Sequence, residues 1–154
     1  VQLKWPNDVL YGGAKLGGIL LEMAGDTAGH CQVVIGVGLN VAMPVAAAGA
    51  IDQAWTDIRS ITAHQPPGRN RVLAALLNEL LPLVADFEQQ GFSHWRNDWQ
   101  ALDAFAGTTV VLNTGSAQLS GIARGVDERG ALQLETTEGV QSVFGGEISL
   151  RAQQ

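Results

Sequence analysis

The sequence predicts an α+β protein in which a mixed or antiparallel sheet with helices is followed by a small β-barrel. Three observations support this class. Apolar runs separated by glycine-containing turns fill residues 1–43, apolar residues at helical spacing fill residues 73–87, and short apolar segments recur at about ten-residue intervals from residue 108. The change of pattern predicts two domains, residues 1–103 and residues 104–154.

The first 43 residues are predicted to form strands. Three segments are mostly apolar: Val1 to Trp5, Lys15 to Met23 and Cys31 to Val41. Between the first two, Tyr11-Gly12-Gly13 is a turn signal. The last two runs flank the short polar, glycine-containing segment 25–29, which favours a hairpin.

The middle of the chain is predicted to be helical. A short helix is expected within Ile51–Ile61, around Trp55. Asn70 is the expected N-cap of a long amphipathic helix that ends near Gly91 and is kinked or divided at Pro82. A second short helix is expected over residues 93–101.

The last third of the chain is predicted to form a small barrel, because short strands alternate with turn signals. The expected strands are Thr108–Leu112, Ala117–Val126, Ala131–Thr136, Val140–Phe144 and Glu147–Leu150.

Composition excludes several classes of protein. A net charge of −6 argues against a nucleic-acid surface, which requires an excess of Lys and Arg. No apolar run approaches the roughly 18 residues of a membrane span. The single Cys31 cannot form an internal disulfide, so we expect a reducing, cytoplasmic location. His30, His64 and His94 have no metal-ligand spacing, and no metal centre built from them is expected.

Two short segments carry candidate chemistry. In Lys4-Trp-Pro-Asn-Asp8, an amide and a carboxylate lie at the end of a predicted strand. These two side chains either close an Asx turn or bind a ligand or Mg²⁺, and the two roles are compatible. In Gly36-Val-Gly-Leu-Asn40, glycines within a strand indicate close approach of a ligand or a backbone. The second segment is not a dinucleotide fingerprint, because the third glycine and the following helix are lacking.

Lys4–Asp8, Lys15-Leu-Gly-Gly-Ile-Leu-Leu-Glu22 and Val34–Asn40 together resemble the second half of the catalytic domain of bacterial biotin–protein ligases. Gly145–Arg151 resembles the end of their C-terminal SH3-like domain. The resemblance implies a class II synthetase-like catalytic domain, of which residues 1–103 are the C-terminal part, and an SH3-like barrel over residues 104–154. Lipoate–protein ligases share the catalytic fold, but the combination of motifs favours biotin.

The resemblance also implies a set of site residues. Lys15 is the expected catalytic residue and contacts biotin and the activating phosphates. The expected biotin-pocket residues are Lys15, Gly18, Gly36 and Leu39. The expected nucleotide-site residues are Asn7, Asp8, Asn40, Trp55, Glu147 and Arg151. The residues alone leave alternatives open: Lys15 as a solvated surface lysine, Trp55 as a core residue, and Glu147 and Arg151 as parts of a solvated terminal strand.

The implied reaction has two steps and uses biotin, ATP and Mg²⁺. Biotin and ATP form biotinyl-5′-adenylate, which a lysine of biotin carboxyl carrier protein then attacks. The family's Gly/Arg-rich ligand loop has no match here and Val1 is not Met, so we expect a fragment that is inactive alone. Alternatives are a lipoate–protein ligase-like enzyme or a non-catalytic module that forms a homodimer through an exposed sheet edge. No nucleic-acid or membrane partner is expected.

Overall fold

The computed structural model describes residues 1–25, 31–44, 53–113, 118–145 and 149–152. The chain divides into two compact units, which are interleaved in sequence. The first unit comprises Val1–Gln2 and Asn7–Pro66, and the second comprises Leu3–Pro6 and Pro67–Gln154. The predicted domain boundary after residue 103 stays a prediction. No helix among these described ranges is long and apolar enough to cross a membrane.

The first unit contains strands β2, β3 and β4 of a sheet with strand order β1-β2-β3-β4. The strands are β1 (Gln2–Lys4), β2 (Asp8–Tyr11), β3 (Ala14–Gly25) and β4 (Cys31–Leu39). Gly12 and Gly13 have φ values of 57° and 79° and make the predicted turn between β2 and β3, since glycine adopts positive φ without a Cβ clash. β3 and β4 pair antiparallel from Gly17–Leu39 to Gly25–Cys31, which confirms the predicted hairpin.

The short helix predicted around Trp55 is wrong in position. Helix α1 spans Ile58–Ile61 and begins after Asp57, whose side chain accepts a hydrogen bond from the Ser60 N–H. Trp55 instead forms an isolated parallel bridge with Lys15 of β3. Backbone pairing with β3 therefore overrides local helix propensity at residues 54–56.

The long predicted helix is present and is interrupted at Gly91, near its predicted end, but its start differs from prediction and Pro82 does not divide it. Helix α2 spans Arg69–Leu102, and its N-cap is Gly68 without a side-chain cap, not Asn70. The residue with non-helical dihedrals is Gly91 (φ 64°), whereas Pro82 lies within the helix. Gly91 leaves the helical region at little steric cost, so the division falls there and the residues after it form the predicted second helix.

The second unit contains a five-stranded antiparallel sheet in the order β8-β7-β6-β5-β9. The strands are β5 (Thr109–Asn113), β6 (Gln118–Val126), β7 (Leu132–Thr136), β8 (Gly139–Val143) and β9 (Ser149–Ala152). These are the five predicted strands, and with the first sheet and the helices they confirm the α+β class. Leu112, Leu132, Leu134 and Leu150 are almost completely buried in its core.

One residue of that core comes from the start of the chain. Trp5 is 4% exposed and belongs to the same cluster as Val110, Leu112 and Leu134. The Trp5 Nε1–H donates to the Gly130 carbonyl oxygen at 3.1 Å. An aromatic residue of a candidate site motif is thus a core residue of the second unit.

Candidate functional site

An open groove of about 650 Å³ lies in the first unit, beside the start of β2, the first half of β3 and the end of β4. Its lining residues are Asn7, Asp8, Lys15, Gly17, Gly18, Ile19, Leu20, Gly36, Val37, Gly38, Leu39 and Asn40. The structure therefore brings together seven predicted site residues, from Asn7 to Asn40. All three motifs contribute because the strands that carry them are neighbours in one sheet.

A Lys–Asp ion pair is the main electrostatic feature of the groove. Lys15 Nζ lies 2.5 Å from Asp8 Oδ1, and the two side chains are 31% and 10% exposed. The β2–β3 hairpin produces this pair, because Asp8 is opposite Gly18 in the register and the chain turns back before Lys15. The ammonium group is held at the groove by a nearly buried carboxylate, yet it remains accessible to an anionic ligand.

Two adjacent glycines shape the groove floor. A Cβ on Gly17 would press into the Gly38 carbonyl oxygen of β4, so only glycine allows the two strands to approach this closely. A Cβ on Gly18 would lie 3.5 Å from Asp8 Oδ1 and 3.6 Å from Lys15 Cε. Gly17 enforces strand packing, whereas Gly18 leaves room beside the ion pair.

The Asn40 side chain links two segments of the site. Its Nδ2 donates to the Lys15 carbonyl oxygen at 3.3 Å and to the Thr56 carbonyl oxygen at 3.1 Å. Its backbone N–H donates to the Leu16 carbonyl oxygen, and its carbonyl oxygen accepts from the Ile58 N–H, both at 2.9 Å. Asn40 thereby fixes the backbone of Lys15, and its nucleotide-binding role stays a prediction.

Trp55 is held beside Lys15 by backbone hydrogen bonds on both sides. The Lys15 N–H donates to the Ala54 carbonyl oxygen, and the Thr56 N–H donates to the Lys15 carbonyl oxygen, both at 2.9 Å. The indole is half-buried and is not among the groove-lining residues. Its predicted contact with the nucleotide stays a prediction.

Asp57 is a buried residue of this region that the sequence interpretation missed. It is 4% exposed, its Oδ2 accepts from the Met43 N–H and its Oδ1 from the Ser60 N–H, both at 2.8 Å. The Met43 hydrogen bond, followed by those of Ser60, lowers the pKa of Asp57 below its usual value. An Asp directly before α1 is the N-cap signal that points to it.

Two of the predicted site residues belong to the last part of the chain. Arg151 is an exposed residue of β9 and pairs with Val111 in the second unit. Glu147 lies outside the described residues. Within the described ranges, no group of three or more His, Cys, Asp or Glu side chains is arranged to hold a metal ion.

Two family models match the chain, one at each end. Residues 1–40 match the model described as "Biotin/lipoate A/B protein ligase family". Residues 106–151 match the model described as "Biotin protein ligase C terminal domain". The first match contains all of the groove-lining residues, and the second covers most of the five-stranded sheet.

Relatives align over nearly the whole chain. The bifunctional ligase/repressor BirA of Escherichia coli K12 is 38% identical over 152 residues, which cover 99% of this chain and 47% of BirA. The biotin–[acetyl-CoA-carboxylase] ligase of Paracoccus denitrificans is 35% identical, over 95% of this chain and 61% of that protein. The chain thus spans roughly half the length of the curated relatives it matches.

Solved structures agree with these matches. The biotin protein ligase of Aquifex aeolicus superposes with a TM-score of 0.84 at 28% identity, over 99% of this chain and 65% of that chain. The same ligase in complex with biotin and ATP has a TM-score of 0.83, over 99% of this chain and 62% of that chain. Sequence motifs, fold and both family models agree: the chain belongs to the bacterial biotin–protein ligase family.

Proposed function

We propose that this protein activates biotin with ATP and transfers the biotinyl group to a lysine of biotin carboxyl carrier protein. The observation that carries the proposal is the Lys15–Asp8 ion pair in a groove floored by Gly17 and Gly18. A related ligase has been solved in complex with biotin and ATP, which supports the choice of substrates.

The chemistry of activation explains the need for a held cation. The biotin carboxylate oxygen attacks the α-phosphorus of ATP, the bond to the leaving pyrophosphate breaks, and biotinyl-5′-adenylate forms. Both reactants are anionic, and the Lys15 ammonium between them offsets their repulsion and the charge that develops on the phosphoryl oxygens. Asp8 orients the ammonium group in advance, so less reorganisation is required when the substrates bind.

The second step requires the bound adenylate to persist until the acceptor lysine reaches it. The amine of the carrier lysine attacks the acyl carbon, AMP leaves, and an amide bond forms. In the proposed arrangement, Gly36 and Leu39 line the biotin end of the groove. Asn7, Asp8 and Asn40 lie on the adenylate side, with Trp55, Glu147 and Arg151 as further nucleotide contacts.

The groove offers Mg²⁺ one carboxylate ligand. This ion is usually held by one or two carboxylates together with substrate phosphates and water. Asp8 is the carboxylate among the groove-lining residues, so Asp8 would hold Mg²⁺, whose charge would help to neutralise the phosphates.

The proposal is tested by replacing Lys15 in the full-length protein. Loss of one preorganised electrostatic partner should lower biotin-dependent pyrophosphate exchange by roughly 10²–10³-fold in Lys15→Ala. Lys15→Arg should recover only part of the rate, because a planar guanidinium does not replace a compact ammonium. A rate unchanged in Lys15→Ala, with folding intact, would remove Lys15 from the activating site.

Lipoate activation is the second candidate, because the family model over residues 1–40 is shared by biotin and lipoate ligases. The match of residues 106–151 to a domain described for biotin ligases favours biotin.

The proposal has three further parts. They are a cytoplasmic location, pairing of two copies through a sheet edge, and a domain boundary after residue 103.

A further inference from the structure

At Lys15, the neighbour of β3 changes from β4 to a different segment of the first unit. The β3–β4 ladder ends at the Gly17–Leu39 pair. Beside Lys15, residues 54–56, which we call the edge segment, take the place of β4 and form a parallel bridge centred on Trp55. The Lys15 N–H and the Lys15 carbonyl oxygen both have their hydrogen-bond partners in the edge segment, at 2.9 Å. The edge segment therefore fixes the backbone from which the groove lysine projects.

The β2–β3 ladder is irregular at the same point. Leu10 is opposite Lys15 and Val9 is opposite Gly17, so the register shifts at Leu16. A shift of this kind disrupts the ladder locally, bends the strand and changes the direction in which a side chain leaves it. Because β2 constrains Lys15 less firmly here, the direction of the Lys15 side chain depends on the contact with the edge segment.

Asp57 directly follows the edge segment and ties it to the chain after β4. Its Oδ2 accepts from the Met43 N–H and its Oδ1 from the Ser60 N–H, both at 2.8 Å. Between these two bonds, the Ile58 N–H donates to the Asn40 carbonyl oxygen at 2.9 Å. One carboxylate thus joins the start of α1 to the chain that leaves β4.

Capping of α1 accounts for only one of the two carboxylate oxygens. An N-cap side chain needs a single oxygen, which serine or threonine also supplies. Asp57 is 4% exposed, and a buried carboxylate is costly unless it is hydrogen-bonded. The second oxygen holds Met43, which is not part of α1. A charged residue at this position is therefore explained by the link to Met43 and not by the cap.

We propose that Asp57 is a positioning residue for Lys15. By binding Met43 and Ser60 at once, its carboxylate holds the edge segment against β3, and the edge segment keeps the Lys15 ammonium in the groove. Every residue in this series of contacts lies in the first unit. The consequence for activity rests on the proposed function, whereas the consequence for the edge segment does not.

The test separates the two carboxylate oxygens. Asp57→Ser retains a cap oxygen for the Ser60 N–H but has no second oxygen for Met43. Thr62→Val is the matched control, because the Thr62 hydroxyl donates to the Ile58 carbonyl oxygen at 2.8 Å at the other end of α1. Its loss loosens α1 without touching the carboxylate.

The structural readout is amide hydrogen exchange, measured by NMR at Lys15 and Thr56, the two N–H groups that join β3 and the edge segment. Both should exchange at least about tenfold faster in Asp57→Ser, because the local opening no longer has to break the carboxylate link. The Ile19 amide, which donates to Asn7, is the internal reference and should be unchanged. Thr62→Val should leave all three amides unchanged.

If Asp57→Ser does not fold, Asp57→Asn replaces it, since an amide keeps one acceptor oxygen at nearly the same volume. Unaltered exchange at Lys15 and Thr56 in the folded variant would overturn the proposal. Equal acceleration of both amides by Thr62→Val would do the same, because it would show that any loosening of α1 is sufficient.

An activity measurement shows whether Asp57 acts through Lys15. In the full-length protein, Asp57→Ser should lower kcat of pyrophosphate exchange by roughly ten- to a hundredfold through misplacement of the ammonium, with a smaller effect on the KM for biotin. Thr62→Val should retain both values. In a Lys15→Ala background, Asp57→Ser should have no further effect on kcat. An equal fold loss in both backgrounds would contradict a role through Lys15.

The two readouts keep this inference distinct from the proposed function. Absence of pyrophosphate exchange in the unsubstituted protein would count against the proposed function. The Lys15 and Thr56 amides would still decide whether Asp57 holds the edge segment.

Discussion

The two units bury their apolar residues to very different extents. In the second unit, Leu112, Leu132 and Leu134 are at most 1% exposed. In the first unit, Leu21 of β3 is 60% exposed and Met23 is 75% exposed. Leu10 and Leu16, by contrast, are buried close to the groove, together with the polar residues Asp8 and Asp57.

This difference shows that the described units are organised by different forces. Burial of apolar surface stabilises the second unit, where strands from residues 109–152 and Trp5 enclose one core. In the first unit, hydrogen bonds of Asn40 and Asp57 and the β3–β4 ladder hold the region around Lys15. The region around the groove is therefore held largely by hydrogen bonds, with fewer buried apolar side chains than the described part of the second unit.

Identical leucine substitutions in the two units give the largest expected contrast. Leu134→Ala removes a completely buried side chain and should lower the free energy of unfolding by about 2–5 kcal/mol. Leu21→Ala, at an exposed position, should change it by less than about 0.5 kcal/mol. Denaturant unfolding of both variants measures the contrast. Equal losses would mean that Leu21 is covered and that the two units do not differ in this way.

A pair of glycine substitutions sharpens the comparison at the groove. Gly17→Ala forces its Cβ against the Gly38 carbonyl oxygen and should cost about 1–3 kcal/mol by overpacking. Gly38→Ala is the matched control, because its nearest contact would be an ordinary 3.8 Å from the Gly18 carbonyl oxygen. Thermal unfolding of the two variants measures the effect. A Gly38→Ala variant at least as unstable as Gly17→Ala would contradict the close strand approach.

Asp57 gives the smallest expected effect and the one that depends on pH. Asp57→Ala removes the cap of α1 and should cost about 0.5–2 kcal/mol at pH 7. Because its pKa is lowered in the folded state, its stabilisation is present above the unfolded pKa of about 3.9 and is lost as pH falls through the folded pKa. Urea unfolding between pH 3 and pH 7 checks this, with Asp57→Asn as the uncharged control. A wild-type pH dependence identical to that of Asp57→Asn would exclude this role.

The sequence predicted the groove better than the packing around it. Lys15, Gly36 and Asn40 were identifiable because their motifs are contiguous and the strands that carry them pair with close neighbours. Trp5 was not identified as a core residue, since its partner Gly130 is 125 positions away and no local pattern encodes such a contact. The predictions for Trp55 and Pro82 are wrong. Backbone pairing with β3 outweighed helix propensity at Trp55, and the helix continues through Pro82 and is interrupted at Gly91, where its end is predicted.

In the proposed function, the groove around Lys15 activates biotin for transfer to a carrier protein. Its most direct test is mass spectrometry of biotin carboxyl carrier protein after incubation with the full-length protein, ATP and equal amounts of biotin and lipoate. We expect one biotinylated lysine, no lipoylation, and loss of the modification in Lys15→Ala. Lipoylation of the carrier, or undiminished biotinylation by Lys15→Ala, would contradict it.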